Sequence, residues 1–571
     1  MNKEKLKRLL ERAKGDKPVD LLLKGASIVN VFTGEIYKED VAIFDEYIVG
    51  FGEYKSKSVI NLNGKILCPS FIDAHIHVES TFLNPIEFSK IASFHGTCAV
   101  LWDPHEIANI MGKQGIELMI RLTEGLNVDF FFMLPSCVPA TSLETSGGKI
   151  DCDDMKYLFN KYPHKFLGLA EVMNFPGVIN KDEEVLDKIL ISQNKLIDGH
   201  APLLKGKDLN AYLVAGPKSD HECTNREEAL EKLRKGMFIF IREGTTEHNL
   251  KELLPIVKKE NIFRFCLVTD DRHADELYRL GHLDFTIKKA IEYGLDPISA
   301  IRMATINPAN YMGLKRYGAI SPGYYANIVV LNDLEKFEIE KVFFKGKEVS
   351  LDGEEKDITD ENIKKGYLNF KPIDSAVLKV PFKKGKRIRV IEIVPGQIVT
   401  NTLIEDPKVV DNWIVPDIER DIAKVVVIER HKGTGNISIG FVKGLMLKKG
   451  AVGSTVAHDS HNLILAGTND EDIKVAANFL REKGGGIVAV WDKNVIGFLE
   501  LALGGIMSLK KFQDVIKGLD DLNTNTKELS PLGSKIFMYL SFLALPVIPT
   551  LRITDKGLVD VEKHNFVSLY V

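Results

Sequence analysis

The chain has 571 residues, more than one ordinary domain needs and enough for two to four. Hydrophobic residues make up 45% and charged residues 27%, the balance of a globular protein able to bury several cores. Its 75 basic and 79 acidic side chains are interspersed, giving a formal net charge of −4. No basic stripe follows a phosphate backbone, so a nucleic-acid partner is not expected.

In chain order, Met1–Asp20 reads as an exposed amphipathic helix without the apolar centre of a signal peptide. From Asp20 to Leu67 short β-rich runs alternate with turns: Leu21–Leu23, Ser27–Phe32, Val41–Phe44, Tyr47–Phe51 and Val59–Leu62. The same texture returns at Ala326–Leu331 and Lys341–Val349. Both flanks together predict one small β-sandwich domain interrupted by a long insertion, with boundaries at 1–67 and 316–352.

The insertion, 68–315, alternates apolar runs with helical patterns. Eight strand candidates stand out: Phe71–His77, Thr97–Trp102, Phe130–Leu134, Phe166–Val172, Leu196–His200, Ala211–Gly216, Met237–Arg242 and Phe263–Thr269. Helical stretches separate most of them, as at Lys181–Gln193, Asn225–Lys235 and Thr246–Lys259. Eight strand–helix units over this length predict an α/β fold, a (β/α)8 TIM-like barrel. A doubly wound open sheet is the alternative. The barrel is favoured because candidate ligands lie at strand C-terminal ends, where a closed ring lets them converge.

Beyond Gly353 charged turns lead to β-like runs at Ile388–Ile393, Lys424–Glu429 and Asn436–Phe441, then to the Gly-rich segment Gly450–Gly467 and a helix over Asp470–Lys483. Residues 353–571 therefore read as a separate α+β domain. The greasy stretch Ile536–Leu551 is shorter than a membrane span and holds two prolines, so a core element is expected there and no membrane partner. The six cysteines, Cys68 through Cys266, form no Cys-x-x-Cys pair; free thiols in a reducing cytoplasm are the expected state.

The chemistry lies at the ends of the predicted barrel strands. His75 and His77 close the first; at spacing i, i+2 a strand places both imidazoles on one face. Glu171 closes the fourth after a mostly apolar run, where a buried carboxylate needs a partner such as a divalent cation. His200 ends the fifth, His221 follows the sixth, and Asp270 closes the eighth, with Asp271 pointing the other way if the strand continues. Any of these alone has a blander reading as an ordinary core or surface side chain. Four imidazoles and two carboxylates in this order suit one or two ions such as Mn²⁺, Fe²⁺ or Zn²⁺.

This order resembles the amidohydrolase superfamily, as do the flanking β domain, Met303-Ala304-Thr305-Ile306-Asn307-Pro308-Ala309 and the turn Ser321–Asn327. Within it the chain is similar to the bacterial and archaeal adenine deaminase family. The segments carrying that resemblance are Pro69–Ser80, Asp103-Pro104-His105-Glu106-Ile107-Ala108-Asn109, Leu134–Ala140 and Ala457-His458-Asp459-Ser460-His461-Asn462. Many amidohydrolases carry a carboxylated lysine on strand four; Glu171 stands there instead.

The resemblance implies hydrolysis of adenine to hypoxanthine and ammonia with two divalent ions, Mn²⁺ or Fe²⁺ before Zn²⁺. It implies that His75 and His77 hold one ion, His200 and His221 the other, with Glu171 shared. Asp270 would ligate a metal and shuttle the proton. A second acid must assist the purine ring, and the glutamate that related deaminases place after the strand-five histidine is missing from Ala201-Pro202-Leu203-Leu204. Glu106 is preferred for that duty, with Glu79 and Asp271 as the other candidates; the alternative for Glu106 is a first-turn glutamate favoured by the helix dipole. His105 and Asp103 share its position. Arg242 either meets a purine edge or forms a rim salt bridge. His458 and His461 cap the site, bind a further ion, or merely sit in a turn made by Asp459 and Ser460. Relatives imply a homodimer. The rival readings are a dihydroorotase- or hydantoinase-like cyclic-amide hydrolase, against which Glu171 counts, and a non-catalytic scaffold, which would have lost ligands.

Overall fold

Eight short parallel strands close the central ring. The computed structural model, which describes residues 1–351, 358 and 368–571, pairs Leu196–Gly199, Phe166–Val172, Asp129–Leu134, Thr97–Trp102 and Phe71–Ile76 in that order in one parallel sheet. Ser219–Asp220, Phe238–Arg242 and Phe265–Val268 form a second. Two seams join them. Lys218 N donates to Ile197 O at 3.0 Å, and Asp270 N and His77 N donate to His75 O and Asp270 O, both at 3.2 Å. Ile72, Ala74, Ala99, Leu101, Phe240 and Cys266 fill the interior of this (β/α)8 barrel.

The expected sixth strand, Ala211–Gly216, is the end of a helix, Gly206–Ala215; the strand is Ser219–Asp220. Leu209 and Tyr212 are fully buried whereas Val214 is 88% exposed, a helical period misread as a strand run. The helix expected over Thr246–Lys259 shrinks to Leu250–Leu253 followed by the 3₁₀ turn Leu254–Ile256. Pro255 there has no N–H to continue the ladder.

The flanking segments pair as expected across the insertion. One sheet has four strands, from Tyr47–Phe51 to Ser56–Asn61. The other has six and joins Ile66–Pro69 to Ile328–Leu331. Leu23, Ile28, Ile43, Leu67, Ile328 and Phe343 pack between them. The N-terminal helix, Lys3–Ala13, is capped by Asn2 Oδ1 and buries Leu9. The expected boundary at 352/353 lies outside the described residues.

The C-terminal part is built on an eight-stranded sheet that runs from Thr400–Glu405 at one edge to Asn494–Glu500 at the other. Ile388–Ile393 and the helix Asp470–Lys483 fall where expected. The stretch predicted as a core element holds the helix Lys535–Phe542. One continuous apolar core runs from the barrel helices into this sheet. Polar contacts add to the seam: Ser508 N donates to Phe82 O at 2.7 Å, Asn84 Nδ2 to Ser508 O at 3.0 Å, and Thr145 N to Asp555 Oδ1 at 2.8 Å. The C-terminal part therefore covers the barrel at the ends of its strands.

Candidate metal centre

The six donors expected from the sequence converge in one buried cavity. His77 Nδ1 lies 3.1 Å from the carbonyl oxygen of Asp103, which only accepts, so the proton sits on Nδ1 and Nε2 faces inward bare. That Nε2 is 3.5 Å from Glu171 Oε1 and 3.3 Å from Asp270 Oδ1. His75 Nε2 is also 3.3 Å from Asp270 Oδ1, is buried, and has no hydrogen-bond partner. Its ring stacks on His221 with centroids 4.0 Å apart. Glu171 Oε2 reaches His200 Nδ1 at 2.8 Å and His221 Nε2 at 3.1 Å.

These donors fall into overlapping groups that fit cations. His75, His77 and Asp270 make one; His75, Glu171 and His221 another; His200, His221 and Glu222 a third. Asp103 and His105 join His77 and Glu171 in a fourth. Burial opposes ionisation of Glu171, yet the His200 and His221 imidazoles outweigh it and hold the carboxyl well below its usual range. Asp270 behaves alike: burial opposes its charge, but the imidazoles of His75, His77 and His221 and the Arg242 guanidinium outweigh it and hold the carboxyl well below its usual range. Carboxylates buried among imidazoles, with an orphaned imidazole nitrogen beside them, fit divalent cations of the nitrogen- and oxygen-binding class.

Arg242 forms a salt bridge, but a fully buried one. Its Nη1 and Nη2 donate to Glu222 Oε1 and Oε2 at 2.5 and 2.9 Å, and Nη1 also to Asp270 Oδ2 at 2.7 Å. Glu222 escaped the sequence reading. Its only signal is adjacency to His221, one barrel strand from an arginine at a matching strand end. Asp271 does not point away. The eighth strand stops at Val268, and Asp270 takes a left-handed φ of 58°, which breaks the alternation. Asp271 faces the cavity, accepts from Ser80 Oγ at 2.5 Å, and is pushed up to about 6 by burial and by Asp270. Glu79 turns aside and accepts from Trp102 Nε1 at 2.7 Å and Ile107 N at 3.2 Å.

Glu106 reaches the cavity from the helix after strand two, where the C-terminal part meets it. His458 Nδ1 lies 2.6 Å from Glu106 Oε1, and His461 Nε2 2.8 Å from Oε2. Burial works against its charge, but the two imidazoles outweigh it and hold the carboxyl well below its usual range. The carboxyl preferred as the ring acid from the sequence is thus engaged on both oxygens by imidazoles of the C-terminal part. The proton sits on His458, where burial is overcome chiefly by Glu106 and the imidazole is raised to about 9. The His458 ring stacks on Phe542 at 4.8 Å, and Asp459 Oδ1 lies 3.7 Å from His105 Nε2. Ile398, His458, Asp459, Phe542, Leu545 and Ile548 line the cavity over the donors. Of the His-Asp-Ser-His segment, His458 and Asp459 line the cavity, while Glu106, His458 and His461 also form a group that could hold a further ion.

A barrel with imidazoles and carboxylates gathered at its strand ends defines the amidohydrolase class, and residues 66–349 match the model of the amidohydrolase family. Residues 397–565 match the adenine deaminase C-terminal domain. Adenine deaminase of Thermosipho africanus (strain TCF52B) is 46% identical over 99% of this chain and 100% of its own. Those of Thermosipho melanesiensis and Oleidesulfovibrio alaskensis are 46% and 44% identical over 99% and 100% of this chain, and over the whole of their own. The chain belongs to the adenine deaminase family.

Proposed function

We propose that the protein hydrolyses adenine to hypoxanthine and ammonia. The observation that carries this reading is the convergence of four imidazoles with Glu171 and Asp270 in a cavity closed by the family's own C-terminal domain. His75 and His77 would hold one divalent ion and His200 and His221 another, with Glu171 shared and Asp270 beside them; Mn²⁺ or Fe²⁺ suit this set, with Zn²⁺ as the third choice. Such ions supply Lewis acidity that makes water a nucleophile at neutral pH.

The chain's own groups handle the protons. Asp270, fixed through Oδ2 by Arg242, accepts a proton from the attacking water and passes it to the departing amine. Water oxygen bonds to C6, the C6–N6 bond breaks, and nitrogen leaves as ammonia. His458, oriented by Glu106, lends a proton to a ring nitrogen of the purine so that C6 becomes electrophilic. Asp271, partly protonated near neutrality, holds a second proton at the same wall. Four chain segments making three units serve this reading: a β-sandwich from 1–67 and 316–352, the barrel at 68–315, and the cap at 353–571. A cytoplasmic homodimer is part of the same proposal, and sedimentation measures its second half.

The test is ammonia release by Mn²⁺-loaded protein from adenine, dihydroorotate and hydantoin in parallel. Adenine is expected to be the productive substrate. Release from a cyclic amide instead would favour the rival hydrolase, for which Glu171 in place of a modified lysine is already unfavourable. No release from any of them, with no bound metal, would mark a scaffold.

A further inference from the structure

A second cleft borders the metal cavity, and one carboxyl oxygen at the junction lacks a hydrogen-bond partner. The outer cleft lies between the loop after strand seven and the C-terminal residues Gly396–Val399 with the helix Lys535–Phe542. It shares Arg242, Glu247, Ile398 and Phe542 with the metal cavity, so these four side chains stand at the junction of the two spaces. Glu247 is only 8% exposed. Its Oε1 accepts from Thr246 Oγ1 at 2.5 Å, whereas Oε2 is buried without a hydrogen-bond partner. The loop is held in place: Thr245 N donates to Asp271 O at 2.9 Å, and Gly244 N to Glu247 O at 3.0 Å.

A buried carboxyl oxygen left bare is costly, so its persistence at the junction calls for a donor that arrives with the ligand. The purine supplies one. A base held with C6 toward the imidazoles and Asp270 would bring its imidazole ring to this junction, with N9–H as the donor there. We propose that Glu247 Oε2 accepts a hydrogen bond from N9–H of the base, making Glu247 the residue that distinguishes a free purine from one substituted at N9. This rests on the deaminase reading and adds to it the edge of the substrate that is read. Burial pushes the Glu247 carboxyl up to about 7, with Arg242 opposing; an N–H donor returns it to the carboxylate form.

The experiment compares adenine with 9-methyladenine as substrates of the metal-loaded wild type and of the Glu247→Ala and Glu247→Gln variants. Hypoxanthine binding is measured by calorimetry in each as a readout independent of turnover. Glu247→Ala is expected to lower kcat/KM for adenine about 10- to 100-fold, mostly through KM, and to weaken hypoxanthine to a similar extent. Activity on 9-methyladenine changes less than about threefold, so the preference for the unsubstituted base collapses. Glu247→Gln, which keeps the shape and an amide oxygen, is expected to retain part of that preference. Unchanged metal content and melting temperature show that the variants are folded. Equal losses on both substrates, or no loss on adenine, would overturn the role of Glu247 while leaving the deaminase reading intact. A wild type that releases no ammonia from adenine would overturn both.

Discussion

Glu171 is the residue on which the centre turns, because each of its oxygens faces imidazoles from different strands. Glu171→Gln keeps the volume but removes the charge, and is expected to abolish turnover and lower bound metal, measured by elemental analysis against the wild type. Asp270→Asn should fold and keep much of its metal while losing activity about 10²- to 10⁴-fold, the usual weight of a general base. Arg242 makes a different prediction. Arg242→Met strands Glu222 and Asp270 as buried charges without their cation, a loss on the order of 3–5 kcal/mol in metal-free protein. Denaturant unfolding should show that drop, and adding Glu222→Gln should recover part of it. Wild-type stability in Arg242→Met would remove the salt bridge from the account.

At the scale of elements, the residues that were legible are those whose chemistry is unusual at a strand end. His75, His77, Glu171, His200, His221 and Asp270 stand out because imidazoles and carboxylates end apolar runs, and period-two geometry aims them together. Ala211–Gly216 misleads for the opposite reason: Ala, Tyr, Leu, Val and Ala carry no mark of period over six residues, and only burial separates Tyr212 from exposed Val214. Leu209→Ala in that helix should cost about 2–5 kcal/mol, and Val214→Glu less than about 0.5, as melting curves can show. The two-residue strand Ser219–Asp220 was hidden by its shortness. Asp271 was illegible because alternation ends where Asp270 turns left-handed, a backbone fact that no side-chain pattern records. Glu222 and Glu247 needed the third dimension: the partner of Glu222 is Arg242 at the end of the next strand, and the bare oxygen of Glu247 leaves no mark in the sequence.

Across the whole molecule, the C-terminal domain lines the cavity over the donors, and the Glu106–His458–His461 cluster fastens it to the barrel. His458 is raised from 6.5 to about 9 in the folded protein. A raised imidazole stabilises fully below its unfolded value and loses that contribution as pH climbs to its folded one. The latch should therefore weaken between pH 6.5 and about 9, and thermal melting should show a fall across that window that His458→Gln lacks. An identical slope in both proteins would place the titration elsewhere. The central claim, that donors from six places in the chain assemble around divalent ions to deaminate a purine, has a direct test. Chelator-stripped protein is titrated with Mn²⁺ while ammonia release from adenine is followed. The account predicts that activity rises with added metal and levels at two equivalents per chain; activity in the stripped protein, or none at any metal loading, would contradict it.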